Sequence, residues 1–378
     1  MSPAQAERPL PPALSAATEH QPRAALATGA ALAGDPSHAY LFQGPRGSGK
    51  RSVARAFGAE LLAAAAADPD DTRRRALLDP SPHPDLVWLR PPGAQHMIDD
   101  VRERVIRASA YRPFEGGRRV FVIETAEALR DESQNSLLKT LEEPPAFAHL
   151  ILLCSEPESL LETIISRCEV VAFSPLPAAA IGEALASEGG TGETAAAAAR
   201  LAAGDLERAR FLLTEDGGRI RDQAQACASA AVRGDLAGAP WRELLTGAEA
   251  VGEEAEAAAR ERLTDEAEVA GRRSAKEITD GAKRAGRRRR TEVLDLGLEL
   301  CAAWLRDLAA VAGGAPDVVF NSDRHEALAR DAVDRSQAAL MNGVSLVQQT
   351  RRGLDLNVSE ELALEALFFR LESLLGSR

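Results

Sequence analysis

A glycine-rich segment near the N-terminus has the spacing of a phosphate-binding loop. Residues 44–50 are Gly-Pro-Arg-Gly-Ser-Gly-Lys and match the pattern G-x-x-x-x-G-K. In such a loop the glycines let backbone N–H groups surround phosphate oxygens, and the lysine reaches the terminal phosphates. The chain contains only four lysines, so a match to this pattern by chance is rare. The sequence therefore predicts a nucleotide site, compatible with ATP or ADP, at Gly44, Gly47, Gly49, Lys50 and the nearby Ser52.

Two positions that handle magnesium and water in related loops are altered. A Ser or Thr normally follows the lysine and binds Mg²⁺, but this position holds Arg51, which cannot ligate a cation. Ser52 has a hydroxyl but stands one residue late. The third predicted strand ends at Glu124, which is longer than the usual Asp, and Thr125 replaces the carboxylate that polarises water. These residues argue against magnesium binding and against hydrolysis in this chain's own site.

Short apolar runs alternate with helix-forming segments before residue 175. Such runs are typical of strands buried on both faces of a parallel sheet. The alternation predicts a doubly wound α/β domain. The predicted strands are 38–43, 85–89, 119–124, 149–154 and 169–173, and the predicted helices are 51–67, 97–110, 131–143 and 160–166. Asp68-Pro69 is predicted to stop the first of these helices.

After Pro175 and Pro177 the strand pattern disappears, and the sequence becomes rich in Ala, Leu, Glu and Arg. We expect a small helical region over 178–213, with a loop at 187–193, and a larger one from about 219 to 378.

Residues 249–268 hold eight acidic and two basic side chains, whereas 271–290 hold nine basic and two acidic ones. This block predicts a charged helical arm whose limbs attract each other. A contact with nucleic acid or a partner through Arg287–Arg290, or a flexible linker, are the alternatives.

Composition excludes several other classes of protein. The net charge of −12 argues against an overall basic coat for nucleic acid, and the 45% hydrophobic content argues against a disordered chain. No apolar run approaches a membrane span, and the first thirty residues do not form a signal peptide. The four cysteines form no C-x-x-C pair and do not cluster with histidines. We therefore expect a cytoplasmic protein without a zinc site or another metal centre.

Four segments together resemble subunits of the bacterial DNA polymerase III clamp loader, the AAA+ family of the gamma/tau and delta prime subunits. They are SHAYLFQGPRGSGK (37–50), NSLLKTLEEPP (135–145), the triplet Ser166-Arg167-Cys168, and NVSEELALEALFFRLE (357–372). The resemblance implies an AAA+ α/β P-loop domain with a parallel sheet at 1–175, a small helical lid at 176–218 and an all-α collar at 219–378. The changes at Arg51, Glu124 and Thr125, and the cysteine-free stretch 61–83, resemble the delta prime type.

The resemblance also implies roles for residues and partners. Arg167 would act as an arginine finger in the ATP site of a neighbouring gamma/tau subunit, Ser155 would be a sensor near the terminal phosphate, and Lys139 would contact DNA. The partners would be the gamma/tau and delta subunits, the sliding clamp and primed DNA, with no membrane. The two alternatives are an ATPase-active gamma/tau subunit and an AAA+ assembly adaptor outside replication.

Overall fold

The computed structural model describes residues 9–91, 95–270, 274–354 and 359–376, and for 266–270 it describes the backbone alone. The chain forms two compact units, Met1–Pro177 and Ala178–Arg378. The first unit combines a parallel sheet with helices, and the described residues of the second are helical or in turns and loops, without strands. The predicted fold class, an α/β domain with a parallel sheet followed by helical segments, is confirmed. The division into lid and collar at residue 218 stays a prediction.

Five parallel strands form the sheet of the first unit in the order β2-β3-β4-β1-β5. The strands are β1 (Ala39–Gln43), β2 (Leu86–Leu89), β3 (Arg119–Ile123), β4 (Ala148–Cys154) and β5 (Glu169–Ala172). Every predicted strand is present, with its ends shifted by at most one residue. The three inner strands are buried almost throughout, as expected when helices cover both faces of a sheet.

The helices of the first unit differ more from the prediction. They are α1 (Pro12–Thr18), α2 (Pro22–Ala33), α3 (Lys50–Ala63), α4 (Pro69–Ala76), α5 (Ile98–Val101), α6 (Asp131–Glu142) and α7 (Glu162–Ile165), and a π-helical segment, Arg102–Arg107, continues α5. The helix predicted over 51–67 ends at Ala63. Asp68 then caps α4 by accepting a hydrogen bond from the Asp71 N–H at 3.1 Å, so the Asp-Pro pair starts a second helix as well as following the first.

Side chains alternate between two hydrophobic cores on opposite faces of the sheet. Tyr40 and Phe42 of β1 pack with Phe57 of α3, whereas Leu41 lies in the other core with Leu137 of α6. This alternation follows from the two-residue period of a strand. The packing on both faces fixes the carboxyl ends of β1, β3 and β4, from which the candidate site residues emerge.

The second unit contains nine helices in its described residues. They are α8 (Ala178–Ser187), α9 (Gly192–Leu201), α10 (Leu206–Leu212), α11 (Glu215–Arg233), α12 (Trp241–Ala270), α13 (Ala275–Ala312), α14 (His325–Ala332), α15 (Gln337–Leu354) and α16 (Glu360–Leu375). One hydrophobic core joins residues from α9 to α16. No helix in the described ranges is both long and apolar enough to span a membrane.

Helices α12 and α13 form an antiparallel hairpin that carries the predicted charged arm. Gly297 lies against Leu244, Gly286 against Gly252, and Gly281 against Leu263, so the contacts run in opposite directions along the two helices. Residues 271–273 of the arm lie outside the described residues, as do Asn357 and Val358 of the C-terminal segment used for the resemblance. The role of the arm stays a prediction.

Candidate functional site

The glycine-rich loop connects the carboxyl end of β1 to the N-terminus of α3. A Cβ atom at Gly44 would lie 2.4 Å from the carbonyl oxygen of Phe173, so only glycine fits this approach to the chain after β5. Gly47 has φ 66°, and Gly49, the residue before α3, has φ 87°. The left-handed region is accessible to glycine at little cost. The loop therefore has the backbone shape and helix N-terminus that suit a phosphate group.

Lys50 is buried, and its ammonium group is folded back onto the loop. Its Nζ donates hydrogen bonds to the carbonyl oxygens of Gly44 at 2.5 Å and Pro45 at 2.6 Å, and to Oγ of Ser155 at 3.3 Å. Ser155 follows β4, and β4 lies beside β1 with Cys154 opposite Gln43. The sheet thus brings together two predicted site residues that are far apart in sequence.

Gln21 is a site residue that the sequence analysis missed. Its Nε2 donates to the carbonyl oxygens of Ser48 at 2.9 Å and Ser174 at 2.7 Å, and its Oε1 accepts from the Ser174 N–H at 3.0 Å. Gln21 is 2% exposed. One amide therefore ties the phosphate loop to the chain that follows β5. No spacing pattern marks this residue, because its partners lie in distant segments.

The two altered positions of the motif contact each other. Nε of Arg51 lies 3.3 Å from Oε1 of Glu124, and Nη2 of Arg51 lies 3.1 Å from Oδ2 of Asp79. Ser52 is exposed on the next position of α3. A guanidinium group therefore pairs with the carboxylate that would support a metal ion in a magnesium-binding relative.

Two more arginines complete this cluster, which we call the arginine cluster: Arg51, Arg55, Arg90, Asp79 and Glu124. Arg55 and Arg90 lie 3.0 and 2.7 Å from the Asp79 carboxylate, and Arg90 lies 3.1 Å from Glu124. Burial raises the pKa of Asp79, but hydrogen bonding and positive charge from the arginines outweigh it, so the pKa lies below its ordinary value. The Asp79 carboxylate is therefore ionised at neutral pH.

The sheet register explains why Arg90 meets Glu124. Each residue directly follows a strand, and Leu89 of β2 pairs with Ile123 of β3. Trp88 also donates from Nε1 to Oε2 of Glu124 at 2.8 Å, and the Arg55 guanidinium lies 4.4 Å from the Trp88 ring. Because parallel strands place their carboxyl ends at one edge, polar residues following β2 and β3 were a signal for this contact.

After β3, the carboxylate that the motif requires at residue 125 is missing, and the next one along the chain belongs to Glu127. Thr125 has φ 56°, a strained conformation for a β-branched residue. Glu127, two residues further on, accepts a hydrogen bond from the Ser155 N–H at 3.2 Å. His96 is buried, and its Nε2 lies 2.8 Å from the Glu124 carbonyl oxygen. Thr125 has no carboxylate for water activation, and the nearby Glu127 is bound to Ser155.

The residues present do not fit a magnesium ion. The Glu124 carboxylate already contacts Arg51, Arg90 and Trp88, and Arg51 offers no oxygen at the position of the usual hydroxyl. Within the described ranges, no cluster of three or more His, Cys, Asp or Glu side chains could hold a metal ion. The loop does fit a phosphate. Ser48 has a buried hydroxyl with no hydrogen-bond partner among the described residues.

Arg167 lies at a different edge, between α7 and β5. Its Nη2 is 2.7 Å from Oε1 of Glu142 at the end of α6, and its Nη1 donates to the Thr163 carbonyl oxygen at 2.9 Å. About a third of the side chain is exposed. Lys139, one turn before Glu142, is exposed on α6. These hydrogen bonds join Arg167 to its own helices and not to the phosphate loop.

Comparisons with known proteins find relatives of the first unit. A family model described as DNA polymerase III, delta subunit, matches residues 23–177. The delta prime subunit of DNA polymerase III from Pseudomonas aeruginosa is 42% identical over 149 residues, which are 38% of this chain and 45% of that protein. The delta prime subunit from Bacillus subtilis is 32% identical over 154 residues, 39% of this chain and 46% of that protein.

The gamma/tau subunits are also similar. The tau/gamma subunit of DNA polymerase III from Haemophilus influenzae is 35% identical over 134 residues, 35% of this chain and 19% of that protein. The chain thus matches less than half the length of each of these relatives. The resemblance drawn from the motifs is confirmed for the region that they share. Residues 23–177 are therefore similar to the delta prime and gamma/tau subunits of bacterial DNA polymerase III.

Proposed function

We propose that the chain is a delta prime-type subunit of the bacterial clamp loader. It assembles in the cytoplasm with gamma/tau and delta subunits to place the sliding clamp on primed DNA. Its own phosphate loop holds ATP or ADP without hydrolysing it. The contact between Arg51 and Glu124 carries this proposal, because it replaces the magnesium position with an ion pair. A site of this kind suits a subunit that supports hydrolysis elsewhere.

Arg167 supplies that support in the proposal. A planar, permanently charged guanidinium stabilises the charge that develops on a transferred phosphoryl group, and in other systems it accelerates hydrolysis by about 10³–10⁵-fold. Arg167 is partly exposed, and its ion pair with Glu142 is exposed as well, so this contact is weak enough to exchange for a phosphate. Lys139 and the arm at 249–290 are proposed as further contacts with DNA or partner subunits.

The test is reconstitution of the complex from this chain and the gamma/tau and delta subunits of the same organism. We expect Arg167→Ala to leave assembly intact and to abolish hydrolysis at the one neighbouring site. With three gamma/tau sites, DNA- and clamp-stimulated ATP turnover falls by about one third or more. Arg74→Ala is the matched control, because Arg74 is an exposed arginine of the same unit that pairs with Asp71 within α4.

Two results would contradict the proposal. Unchanged ATP turnover with Arg167→Ala would remove the role of Arg167. Rapid hydrolysis by the isolated chain, abolished by Lys50→Ala, would instead favour an active gamma/tau-like ATPase. Mass analysis of the reconstituted mixture tests the partners directly. Failure to form a complex with gamma/tau and delta would favour an assembly adaptor outside replication.

A further inference from the structure

The arginine cluster lies beside a loop that is shaped for phosphate, and this juxtaposition suggests a specific chemistry. We propose that the Arg51 guanidinium takes the place of the divalent cation, so that the site binds the phosphates of a nucleoside di- or triphosphate without a metal. This inference rests on the proposed nucleotide site and specifies how that site handles the phosphate charge. It does not depend on Arg167 or on the partner subunits.

The charge balance of the cluster supports binding of an anion. Three guanidinium groups face two carboxylates, which leaves a positive excess next to Lys50 and the N-terminus of α3. Phosphate groups at this position would meet positive charge from Lys50, Arg51 and the helix dipole. A magnesium ion is normally needed to supply such charge, and here the side chains supply it.

Arg51 has donors available for this role. Its recorded contacts use Nε with Glu124 and Nη2 with Asp79, and Nη1 has no hydrogen bond or ion pair among the described residues. The side chain is 50% exposed. Arginine has five N–H donors in a planar fork that matches phosphate geometry. Arg51 can therefore keep both carboxylate contacts and still present N–H groups to an anion.

The same contacts oppose a metal ion. A magnesium ion needs oxygen ligands in a near-octahedral arrangement, but Arg51 provides none and the Glu124 and Asp79 carboxylates are shared among three arginines. A cation placed between them would also be repelled by those guanidinium groups. The cluster thus favours a bound anion over a bound cation, whereas the usual magnesium position favours the cation.

Ser48 gives independent support for a ligand in the loop. Its hydroxyl group is fully buried within the loop, yet it has no hydrogen-bond partner in the part of the chain that the structure describes. Buried polar atoms without a partner are uncommon and costly. A phosphate oxygen held by the loop would provide the missing acceptor. Gln21 fixes the carbonyl group of the same residue at 2.9 Å, which limits how far the hydroxyl can move.

The experiment is direct binding of ADP and ATP to the purified full chain, measured by calorimetry and with a fluorescent ADP analogue. Binding is measured in magnesium and in excess EDTA. We expect the wild-type dissociation constant to differ by less than about threefold between the two buffers. Arg51→Ala should weaken binding in EDTA by about tenfold or more, the loss expected for one charge-assisted contact. Arg51→Lys keeps the positive charge but loses the planar set of donors, so its affinity in EDTA should lie between those of the wild type and Arg51→Ala.

Arg74→Ala is again the control and should bind like the wild type in both buffers, and thermal melting checks that each variant is folded. A wild-type site that loses its affinity in EDTA would overturn the metal-free inference while leaving nucleotide binding in place. Equal affinity of Arg51→Ala and wild type in EDTA would also overturn it. Absence of binding in both buffers would overturn the inference and the proposed nucleotide site together. The Arg167 test would still decide the role of the chain in the complex.

Discussion

Nη2 of Arg167 lies 2.7 Å from Oε1 of Glu142, so the arginine that the motif assigns to a neighbouring ATP site already has a carboxylate partner in its own chain. Glu142 belongs to α6 and ends the NSLLKTLE stretch on which the family resemblance rests. To reach a phosphate on another subunit, the guanidinium must leave this partner. The ion pair therefore sets a small energetic cost on the proposed role of Arg167.

Glu142→Gln should remove that cost. An exposed ion pair contributes about 0.2–1 kcal/mol, so we expect ATP turnover at the one site that Arg167 serves to rise by up to about fivefold. With two other sites unchanged, total turnover of the reconstituted complex should rise by up to about twofold. The stability of the isolated chain should hardly change. Glu143→Gln is the matched control, because Glu143 is the next residue, is also exposed and has no ion pair recorded among the described residues. Lower turnover with Glu142→Gln would show instead that Glu142 positions Arg167 for its task.

Gln21→Ala should destabilise the first unit and loosen its phosphate loop. The substitution removes three hydrogen bonds to Ser48 and Ser174 and leaves their backbone groups without these partners. We expect the free energy of unfolding in urea to fall by about 1–3 kcal/mol. Gln95→Ala, at an exposed position of the same unit, should change it by less than about 0.5 kcal/mol. Equal effects of the two substitutions would contradict a structural role for Gln21.

The sequence was most informative where a local pattern determines the structure. The apolar runs located all five strands, because strands buried on both faces have a simple signature. The phosphate loop was also predictable from its glycines. The arginine cluster was not, because Asp79, a partner of Arg51, comes from a segment without a motif. Arg90 meets Glu124 only through the register of β2 and β3. Helices α1 and α2 were missed, although their packing brings Gln21 to the loop.

Close packing in the α12–α13 hairpin leads to a prediction for the second unit. A Cβ atom at Gly286 would lie 2.8 Å from the carbonyl oxygen of Gly252 and 2.8 Å from the Cβ of Glu256. Although alanine favours helix by about 0.5–1 kcal/mol, the clash should dominate. We expect Gly286→Ala to lower the free energy of unfolding by about 1–2 kcal/mol, measured by urea denaturation.

Gly182→Ala is the control for this prediction. Gly182 lies inside α8, and a Cβ atom there would meet nothing within 4 Å. The helix preference then acts alone, so this substitution should stabilise the unit by about 0.5–1 kcal/mol. Stabilisation by both substitutions would mean that the hairpin can separate without cost, and that its contact is looser than the distances between Gly252 and Gly286 indicate.

The buried histidines predict how the stability of the first unit depends on pH. Burial lowers the pKa of His96 below its ordinary value of 6.5, although the Glu124 carbonyl group opposes this. Burial also lowers the pKa of His149. The folded state therefore resists protonation while the unfolded state accepts it. Stability should be constant above about pH 7 and should fall as the pH drops through 6.5 towards the lowered pKa of the folded state.

His96→Gln tests the sign of this effect, since glutamine keeps a donor for the Glu124 carbonyl group but does not titrate. Thermal unfolding is measured for both proteins between pH 7.5 and 5.5. Across this range the melting temperature of the wild type should fall more than that of His96→Gln. The difference between the two melting temperatures should therefore narrow or change sign at low pH. Protonation of carboxylates affects both proteins alike and cancels in the difference. Parallel curves would show that His96 has the same pKa folded and unfolded, and that its contact with the Glu124 carbonyl group compensates fully for burial.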